Sequence, residues 1–407
     1  MLKYNPFQPG QIVNPSMFAG RIDELFSLEQ ALFQTRNKNP SHFLIHGERG
    51  IGKSSLLLYL DYLAKGSFES LNKETFNFVT ATVELEIGNT YVDIVRKTGS
   101  ELSRSLKRHE KYKTMLKKGW DFITQWEAFG VKYKKSNDDF SRSQLFEELC
   151  ESVYEASIRL QEQSDGILLL IDECDKPSSD AHLGEFSKIF TERLSRLGAT
   201  NVILGLSGIS NVLDKMRKSH ESSLRVFQQF ELKPLPLPEA IEIVDNGIEE
   251  ANARNQEKVK IDKDVTQWIA ERGSQGYPHF IQEYAHAAFD ADNDNHITMI
   301  DLHNGVYREN GALAQLGKKY FENMYLEQIG SDDYRKVLQV MSEFMDEFVT
   351  KAKLRTKTGL KDHTLNNALS ALKSRNIIIP QKGRKGEYRL PSKSFAIWIK
   401  TYASKDD

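Results

Sequence analysis

Short apolar runs alternate with amphipathic stretches over the first half of the chain. Strand-length apolar runs occur over 43–45, 78–85, 167–171, 201–206 and 230–232. Helical spacing of apolar residues predicts helices after Gly20 and over 91–135, 140–161 and 180–197. Strands that alternate with helices predict a parallel sheet whose two faces are both covered by helices.

The pattern changes after Pro238, where strand-like runs stop. Residues 238–328 follow helical spacing, which predicts an all-α lid. Further on, helices are predicted over 331–346, 350–358 and 362–374, followed by strand-like runs at 377–379 and 387–390. Three helices followed by a two-stranded wing resemble a winged helix-turn-helix domain.

Composition limits the class of protein. A length of 407 residues predicts two or three domains, and a net charge of −2 predicts no partner by itself. The two cysteines, Cys150 and Cys174, have neither metal-ligand spacing nor a disulfide framework, which is typical of a reducing cytosol. We see no run of 18 apolar residues and no signal-peptide core, so we expect a cytoplasmic protein without a membrane partner.

Residues 47–54 fill every fixed position of the pattern GxxxxGK[ST]. An apolar run precedes this segment, and Ser55 with a leucine-rich helix start follows it. Such a loop lets backbone N–H groups converge on phosphate oxygens at a helix N-terminus. Lys53 is predicted to reach the β- and γ-phosphates, and Ser54 to hold Mg²⁺. The loop consists of Gly47, Glu48, Arg49, Gly50, Ile51, Gly52, Lys53 and Ser54.

A second half of such a site follows the run at 167–171. Asp172 and Glu173 end this run, and the carboxyl end of a central strand should open beside the loop. Asp172 is predicted to support Mg²⁺, and Glu173 to orient or deprotonate the attacking water. Ser207 ends the next strand, where it either contacts the γ-phosphate or is a turn serine. The expected cofactors are ATP and Mg²⁺.

Residues 1–290 resemble the P-loop ATPases of the AAA+ and STAND branches, especially ATPases akin to origin-recognition proteins. The resemblance rests on both phosphate motifs, on Phe18-Ala19-Gly20-Arg21, on the junction at 227–235 and on Gly276-Tyr277-Pro278. It implies that Arg21 lies near the adenine or ribose, and that Pro278 lies near the nucleotide and couples its state to the lid angle. Residues 278–282 lack the lid arginine that many relatives carry.

The resemblance also implies a finger arginine that reaches the nucleotide of a neighbouring subunit in a nucleotide-dependent homo-oligomer. Arg225, just before the closing strand, is the candidate; Arg193 and Arg196 are rivals, and a plain surface arginine is the alternative. The expected fold class is α/β: a P-loop parallel sheet with helices on both faces (1–237), an all-α lid (238–330) and a C-terminal winged helix-turn-helix (331–407).

Positive charge is concentrated near the C-terminal end of the sequence, over residues 351–385. Residues 351–385 contain ten basic residues and one acid, Asp362, which gives +9. Such a surface favours duplex DNA as a partner, although a protein-docking module or a solvated face would also fit. A second basic stretch over 104–135 is predicted to be a solvated helical face, with a partner or DNA site as the alternative. The predicted DNA contacts are Lys361, His363, Thr364 and Asn367 on the third helix and Lys382, Arg384 and Lys385 on the wing.

The sequence leaves two functions open. The first is an ATP-hydrolysing switch that acts on DNA through its winged helix. The alternative is an ATP-dependent signalling or defence regulator whose C-terminal domain binds a protein partner. A non-catalytic scaffold is disfavoured because Lys53, Asp172 and Glu173 are all present.

Overall fold

A computed structural model describes residues 3–12, 18–108, 142–375, 377–381 and 383–403. The chain forms two compact units. One comprises Ile12–Lys233; the other comprises Met1–Gln11 together with Pro234–Asp407. No helix within the described ranges is both long and apolar enough to cross a membrane.

The first unit is built on a five-stranded sheet with the order β2-β3-β4-β1-β5, and all its pairings are parallel. All seven residues of β4 and the first six of β3 are buried, so both faces of the central strands are covered. The predicted parallel sheet is confirmed. Its strands are β1 (His42–Gly47), β2 (Phe78–Glu84), β3 (Gly166–Asp172), β4 (Val202–Gly208) and β5 (Phe227–Leu232).

Helices and two short 3₁₀ turns connect these strands. The stacked rings of Phe186 and Phe190, with Phe146 edge-on to both, form part of the core beneath the sheet. The helix predicted over 91–135 is described only as far as Arg108, and the remainder of the basic stretch 104–135 lies outside the described residues. The helices are α1 (Ile22–Arg36), α2 (Lys53–Ala64), α3 (Tyr91–Arg108), α4 (Arg142–Arg159), α5 (Leu183–Leu197) and α6 (Val212–Ser219), with 3₁₀ turns at Ser179–Ala181 and Ser223–Val226.

The second unit begins with helices, as predicted for the lid. It also contains a pair of two-residue parallel strands, β6 (Lys260–Ile261) and β7 (His296–Ile297), which the sequence pattern did not predict. Two residues are too few to show the alternation that marks a strand. The helices are α7 (Leu237–Arg254), α8 (Lys263–Gln267), α9 (Pro278–Ala291), α10 (Met299–Tyr307) and α11 (Ala312–Leu316), with π-helical turns at Trp268–Gly273, Gly317–Phe321 and Asn323–Glu327.

The C-terminal elements follow the predicted order of three helices and then strands. An antiparallel sheet with the order β8-β10-β9 includes a strand, β8, that was not predicted. The Thr350 hydroxyl caps the second helix by accepting from Lys353 N at 3.2 Å, and Gly359 ends it with a φ of +67°. The elements are α12 (Asp332–Ser342), β8 (Val349–Thr350), α13 (Lys351–Thr358), α14 (Asp362–Ser374), β9 (Ile379–Pro380), β10 (Glu387–Arg389) and α15 (Lys393–Trp398).

Residues 1–11 group with this second unit, whereas the sequence analysis included them in the P-loop unit 1–237. An extended, proline-containing segment carries no periodicity that would reveal where it docks. The three-domain division at residues 237 and 330 stays a prediction.

Candidate nucleotide site

The loop at 47–54 joins the end of β1 to the start of α2. Gly50 has a φ of +78° and Gly52 a φ of +98°, conformations that favour glycine. The Ile51 side chain between them is fully buried, so the loop is anchored while Glu48 and Arg49 remain exposed. Helix α2 begins with Lys53, and its first N–H groups have no intrahelical acceptor. The loop therefore offers backbone donors and a positive helix end to an anion.

The Lys53 side chain folds back onto the first residues of this loop. Its Nζ donates to the carbonyl oxygens of Gly47 at 3.2 Å and Glu48 at 2.9 Å. Burial lowers the pKa of Lys53, while the carboxylates of Asp172, Asp175 and Glu173 act in the opposite direction. The ammonium is thus held beside a group of acids at the carboxyl edge of the sheet.

Ser54 and Asp172 are in direct contact, although 118 residues separate them in the chain. The Ser54 Oγ donates to Asp172 Oδ2 at 2.7 Å, and Asp172 Oδ1 accepts from Glu173 N at 2.8 Å. Strand β4 lies between β3, which ends at Asp172, and β1, which leads into the loop before Ser54, so the sheet order brings both residues to one edge. A hydroxyl beside a carboxylate is an oxygen donor set of the kind that Mg²⁺ prefers. Within the described ranges, no group of three or more His, Cys, Asp or Glu side chains could hold a metal by itself.

Glu173 adopts a left-handed backbone with a φ of +57° directly after β3. Its side chain is 36% exposed and forms an ion pair of 3.5 Å with Lys176, whose Nζ also lies 3.5 Å from Glu84 Oε1. Sequence reasoning missed Lys176, because only the turn at Glu173 brings a lysine three residues later back to it. The arrangement leaves the Glu173 carboxylate partly open to solvent, as a general base requires.

Ser207 is fully buried on β4, and its Oγ has no hydrogen-bond partner among the described residues. Its carbonyl oxygen accepts from Cys174 N at 2.8 Å, while Asp175 Oδ1 accepts from Ile209 N at 2.8 Å. These bonds tie the turn after β3 to the end of β4. Sequence reasoning also missed Asp175, the third acid of the run Asp172-Glu173-Cys174-Asp175; its place next to the paired acids was the available signal.

Arg21 is hydrogen-bonded to the backbone of the loop. It is 7% exposed, and one guanidinium nitrogen donates to the Ile51 carbonyl at 3.1 Å while the other lies 3.5 Å from Glu24 Oε1. The structure thus brings Arg21 to the loop, and its contact with adenine or ribose stays a prediction. Ser55 occupies the first turn of α2.

The three candidate finger arginines differ in their surroundings. Arg225 is exposed on the 3₁₀ turn before β5 and makes no ion pair within the described part of the chain. Arg193 Nε forms an ion pair with Glu147 Oε2 at 2.8 Å, and Arg196 is exposed on α5. Arg225 and Arg196 are therefore better placed than Arg193 to reach another molecule.

Pro278 is the first residue of α9, in the second unit. The turn before it contains Gln275 and Gly276 with φ values of +53° and +78°. The Gly276 carbonyl accepts from Leu235 N at 2.8 Å, and a Cβ at Gly276 would lie 2.3 Å from the Leu235 carbonyl oxygen. The turn is therefore packed against the start of this unit; a place for Pro278 beside a nucleotide stays a prediction.

The predicted DNA contacts lie on exposed parts of the C-terminal elements. Lys361, His363 and Asn367 are exposed on or just before α14, and Thr364 is half-buried. Arg384 and Lys385 are exposed between β9 and β10, and Lys382 lies outside the described residues. Part of this positive charge is paired with acidic side chains. Lys351 and Arg355 contact Asp362 at 3.6 and 3.3 Å, Lys357 contacts Glu343, and Arg384 lies 3.8 Å from Glu387.

Solved structures match nearly the whole chain. A Walker-type ATPase of Pyrococcus abyssi superposes with a TM-score of 0.60 at 18% identity, over 94% of this chain and 96% of that one. The Aeropyrum pernix ORC2 protein superposes with a TM-score of 0.57 at 11% identity, over 99% and 98% of the two chains. No protein-family model matches the sequence, and no curated protein does. The chain therefore has the fold of the archaeal Walker-type and origin-recognition ATPases.

Proposed function

We propose that this chain binds Mg·ATP between the loop at 47–54 and the acids Asp172 and Glu173, and hydrolyses it to ADP and phosphate. The observation that carries this proposal is the 2.7 Å hydrogen bond between Ser54 and Asp172. It joins the two elements that hold Mg²⁺ and the phosphates in P-loop NTPases, the loop Ser and the strand-end Asp. The ORC2 structure with the same fold is described as complexes with ADPNP and ADP, which supports an adenine nucleotide.

The residues divide the chemistry between them. Backbone N–H groups of the loop and the Lys53 ammonium bind the phosphate oxygens and neutralise charge on the leaving ADP. Ser54 and Asp172 would hold Mg²⁺, which supplies further charge neutralisation when bound. The Glu173 carboxylate accepts a proton from the attacking water, whose oxygen forms the new bond to the γ-phosphorus as the bond to ADP breaks. Ser207 would donate its otherwise unpartnered hydroxyl to a γ-phosphate oxygen, and Arg21 keeps the loop in place.

We propose that the C-terminal elements form a winged helix that binds duplex DNA and responds to the nucleotide. Helix α14 would present Lys361, His363 and Asn367 to the groove, and Arg384 and Lys385 would contact phosphates. The charge of +9 over 351–385 supports this reading. Coupling requires that ATP bind the DNA-competent state more tightly, since equal affinities shift no population.

One observation favours the alternative of a protein-binding regulator. Lys351, Arg355, Lys357 and Arg384 already have acidic neighbours, which reduces the charge that is free for phosphates. A docking module for a protein partner needs less net positive charge than a DNA-binding surface. Under either function, Arg225 is the candidate to reach a second subunit's nucleotide in a homo-oligomer.

An ATPase assay with and without duplex DNA tests the proposal. We expect ATP turnover to depend on Mg²⁺. The affinity for duplex DNA, measured by titration at several salt concentrations, should fall by about 0.9 logarithmic units per neutralised phosphate for each tenfold rise in salt. Changing both Arg384 and Lys385 to Ala should weaken this affinity for all DNA sequences. The double variant Lys97→Ala/Lys263→Ala, which removes the same charge far along the chain, is the control. Turnover without any DNA affinity near physiological salt would reject the DNA function and favour the protein partner.

A further inference from the structure

The turn at 173–177, directly after β3, carries the Glu173 carboxylate on a backbone that a glutamate does not readily adopt. Glu173 has a φ of +57°, in the left-handed region that favours glycine. A residue with a side chain stays in this conformation only where the surrounding structure imposes it. The contacts that hold this turn therefore decide where the carboxylate lies.

The end of β4 holds the first part of the turn. Cys174 N donates to the Ser207 carbonyl at 2.8 Å, and Ile209 N donates to Asp175 Oδ1 at 2.8 Å. Gly208 lies between these two partners, and a Cβ there would lie 3.1 Å from Asp175 Oδ1 and 3.2 Å from Asp175 N. The chain segments that follow β3 and β4 are thus packed together at backbone distance.

Lys215, on α6, holds the second part of the same turn. Its Nζ donates to the Pro177 carbonyl at 2.8 Å and also to the Asp175 carbonyl. Neither partner is a carboxylate, so these two bonds restrain the backbone rather than neutralise an acid. A half-buried ammonium loses hydration, and it keeps its position only where its donors are used. One ammonium therefore joins two carbonyl groups that lie two residues apart in the turn.

Helix α6 gives Lys215 a rigid support. Val212 and Met216, on either side of it in the chain, are fully buried. Gly184 N on α5 donates to Ser219 Oγ at 2.9 Å, and a Cβ at Gly184 would lie 2.2 Å from the Met216 carbonyl oxygen. Because the helix is packed this closely on α5, the turn can move away from it only by breaking the bonds to Lys215.

We infer that Lys215 is a positioning residue for ATP hydrolysis: it holds the turn at 173–177, and through this turn it keeps the Glu173 carboxylate where it accepts the proton of the attacking water. This role rests on the proposed function. Lys215 acts through Glu173 and not on the phosphates, which are assigned to the loop at 47–54. Its loss should therefore slow the chemical step and leave nucleotide affinity unchanged.

Matched substitutions on one helix test this role in the full chain. Lys215→Met removes the ammonium but keeps an unbranched side chain of similar length, and Lys215→Arg keeps donors for the two carbonyls. Lys218→Met is the control, because Lys218 is exposed on the same helix and carries the same charge. If Lys215→Met does not fold in a thermal unfolding experiment, Lys215→Gln takes its place in the same comparison.

We expect Lys215→Met to lower kcat by about 10- to 100-fold, as a reacting group displaced by about 1 Å does. The KM for ATP and the affinity in titration calorimetry should stay within about twofold of those of the unmodified chain, and Lys215→Arg should recover most of the lost kcat. A kcat equal to that of Lys218→Met would overturn the inference, as would a higher KM with an unchanged kcat.

The same substitution in a Glu173→Gln background separates positioning from general support of the fold. If Lys215 acts through the Glu173 carboxylate, Lys215→Met should lower single-turnover rates no further once that carboxylate is gone. An equal fold-loss in both backgrounds would overturn the inference. If the unmodified chain does not hydrolyse ATP, the proposed function fails; if it does and Lys215→Met matches it, only the role of Lys215 fails.

Discussion

Replacing Ser207 with alanine tests whether a buried hydroxyl is kept for the reaction at the expense of stability. The Ser207 Oγ is fully buried and has no partner within the described ranges. A buried polar group without a hydrogen bond costs about 1–3 kcal/mol of folding free energy. Ser207→Ala removes that cost and little else, since only one oxygen atom is lost.

The expected gain in stability can be compared with the expected loss of activity. Allowing for the lost packing of the oxygen, we expect the free energy of unfolding to rise by about 1 kcal/mol, or roughly 2–4 °C in Tm for a unit of 150–250 residues. A hydroxyl that donates to a charged phosphate oxygen contributes about 1.5–3 kcal/mol. If this bond forms in the transition state, kcat/KM for ATP should fall by about 10- to 150-fold.

Thermal unfolding without nucleotide and steady-state ATP hydrolysis measure the two quantities. Ser103→Ala is the matched control, because the Ser103 hydroxyl is also buried in this unit and has no partner in the part of the chain that the structure describes, but it lies on α3. It should stabilise the protein similarly and leave turnover unchanged. A lower Tm for Ser207→Ala would mean that the hydroxyl has a partner after all, and a higher Tm with unchanged turnover would mean that it has no role in the reaction. Either result refutes the assignment.

Three further predictions follow from the same structure. Glu173→Gln should keep ATP affinity but lower turnover by about 10²-fold or more; normal turnover would remove its role as base. The pKa of His286 is raised by its hydrogen bond to Asp290, so its stabilising charge is fully present below about pH 6.5 and is lost as pH rises through the raised folded value. The free energy of unfolding in denaturant titrations should therefore fall as pH rises through this range, and Asp290→Asn should weaken that dependence; a dependence unchanged by this variant would exclude His286. Gly205→Ala should destabilise the sheet by about 1–3 kcal/mol in a denaturant titration, because a Cβ there would lie 2.2 Å from the Phe43 ring; wild-type stability would show that the ring moves freely.

The nucleotide motifs were predictable because local chemistry dictates them. A loop that needs positive φ at Gly50 and Gly52 leaves a glycine pattern, and a fully buried parallel strand leaves an apolar run such as that before Asp172. Once both lie in a parallel sheet, the carboxyl ends of the strands meet at one edge. The contact between Ser54 and Asp172 is the result of those rules.

Features that depend on one turn or one distant partner were not predictable. The left-handed backbone at Glu173 decides that Lys176 returns to the carboxylate, and no spacing rule reveals that conformation. Arg193 resembled a finger candidate in sequence, yet Glu147 on another helix engages it. Similarly, nothing in the proline-containing segment before Gly20 indicates that the Phe7 ring packs against Phe289 and Gly247. The opposing glycine, Gly247, is far away in the chain.

Titration calorimetry of Mg·ATP with the full chain and with Lys53→Ala decides whether the loop at 47–54 binds a triphosphate. The Lys53 ammonium is the side-chain group of the loop that is assigned to the phosphates. Each charge-assisted hydrogen bond that it makes to a phosphate oxygen contributes about 1.5–3 kcal/mol to binding. We predict saturable heat of binding for the unmodified chain, an affinity at least about tenfold lower for Lys53→Ala, and a similar loss when Mg²⁺ is chelated. No heat with the unmodified chain, or equal affinity in the variant, would contradict the proposed nucleotide site.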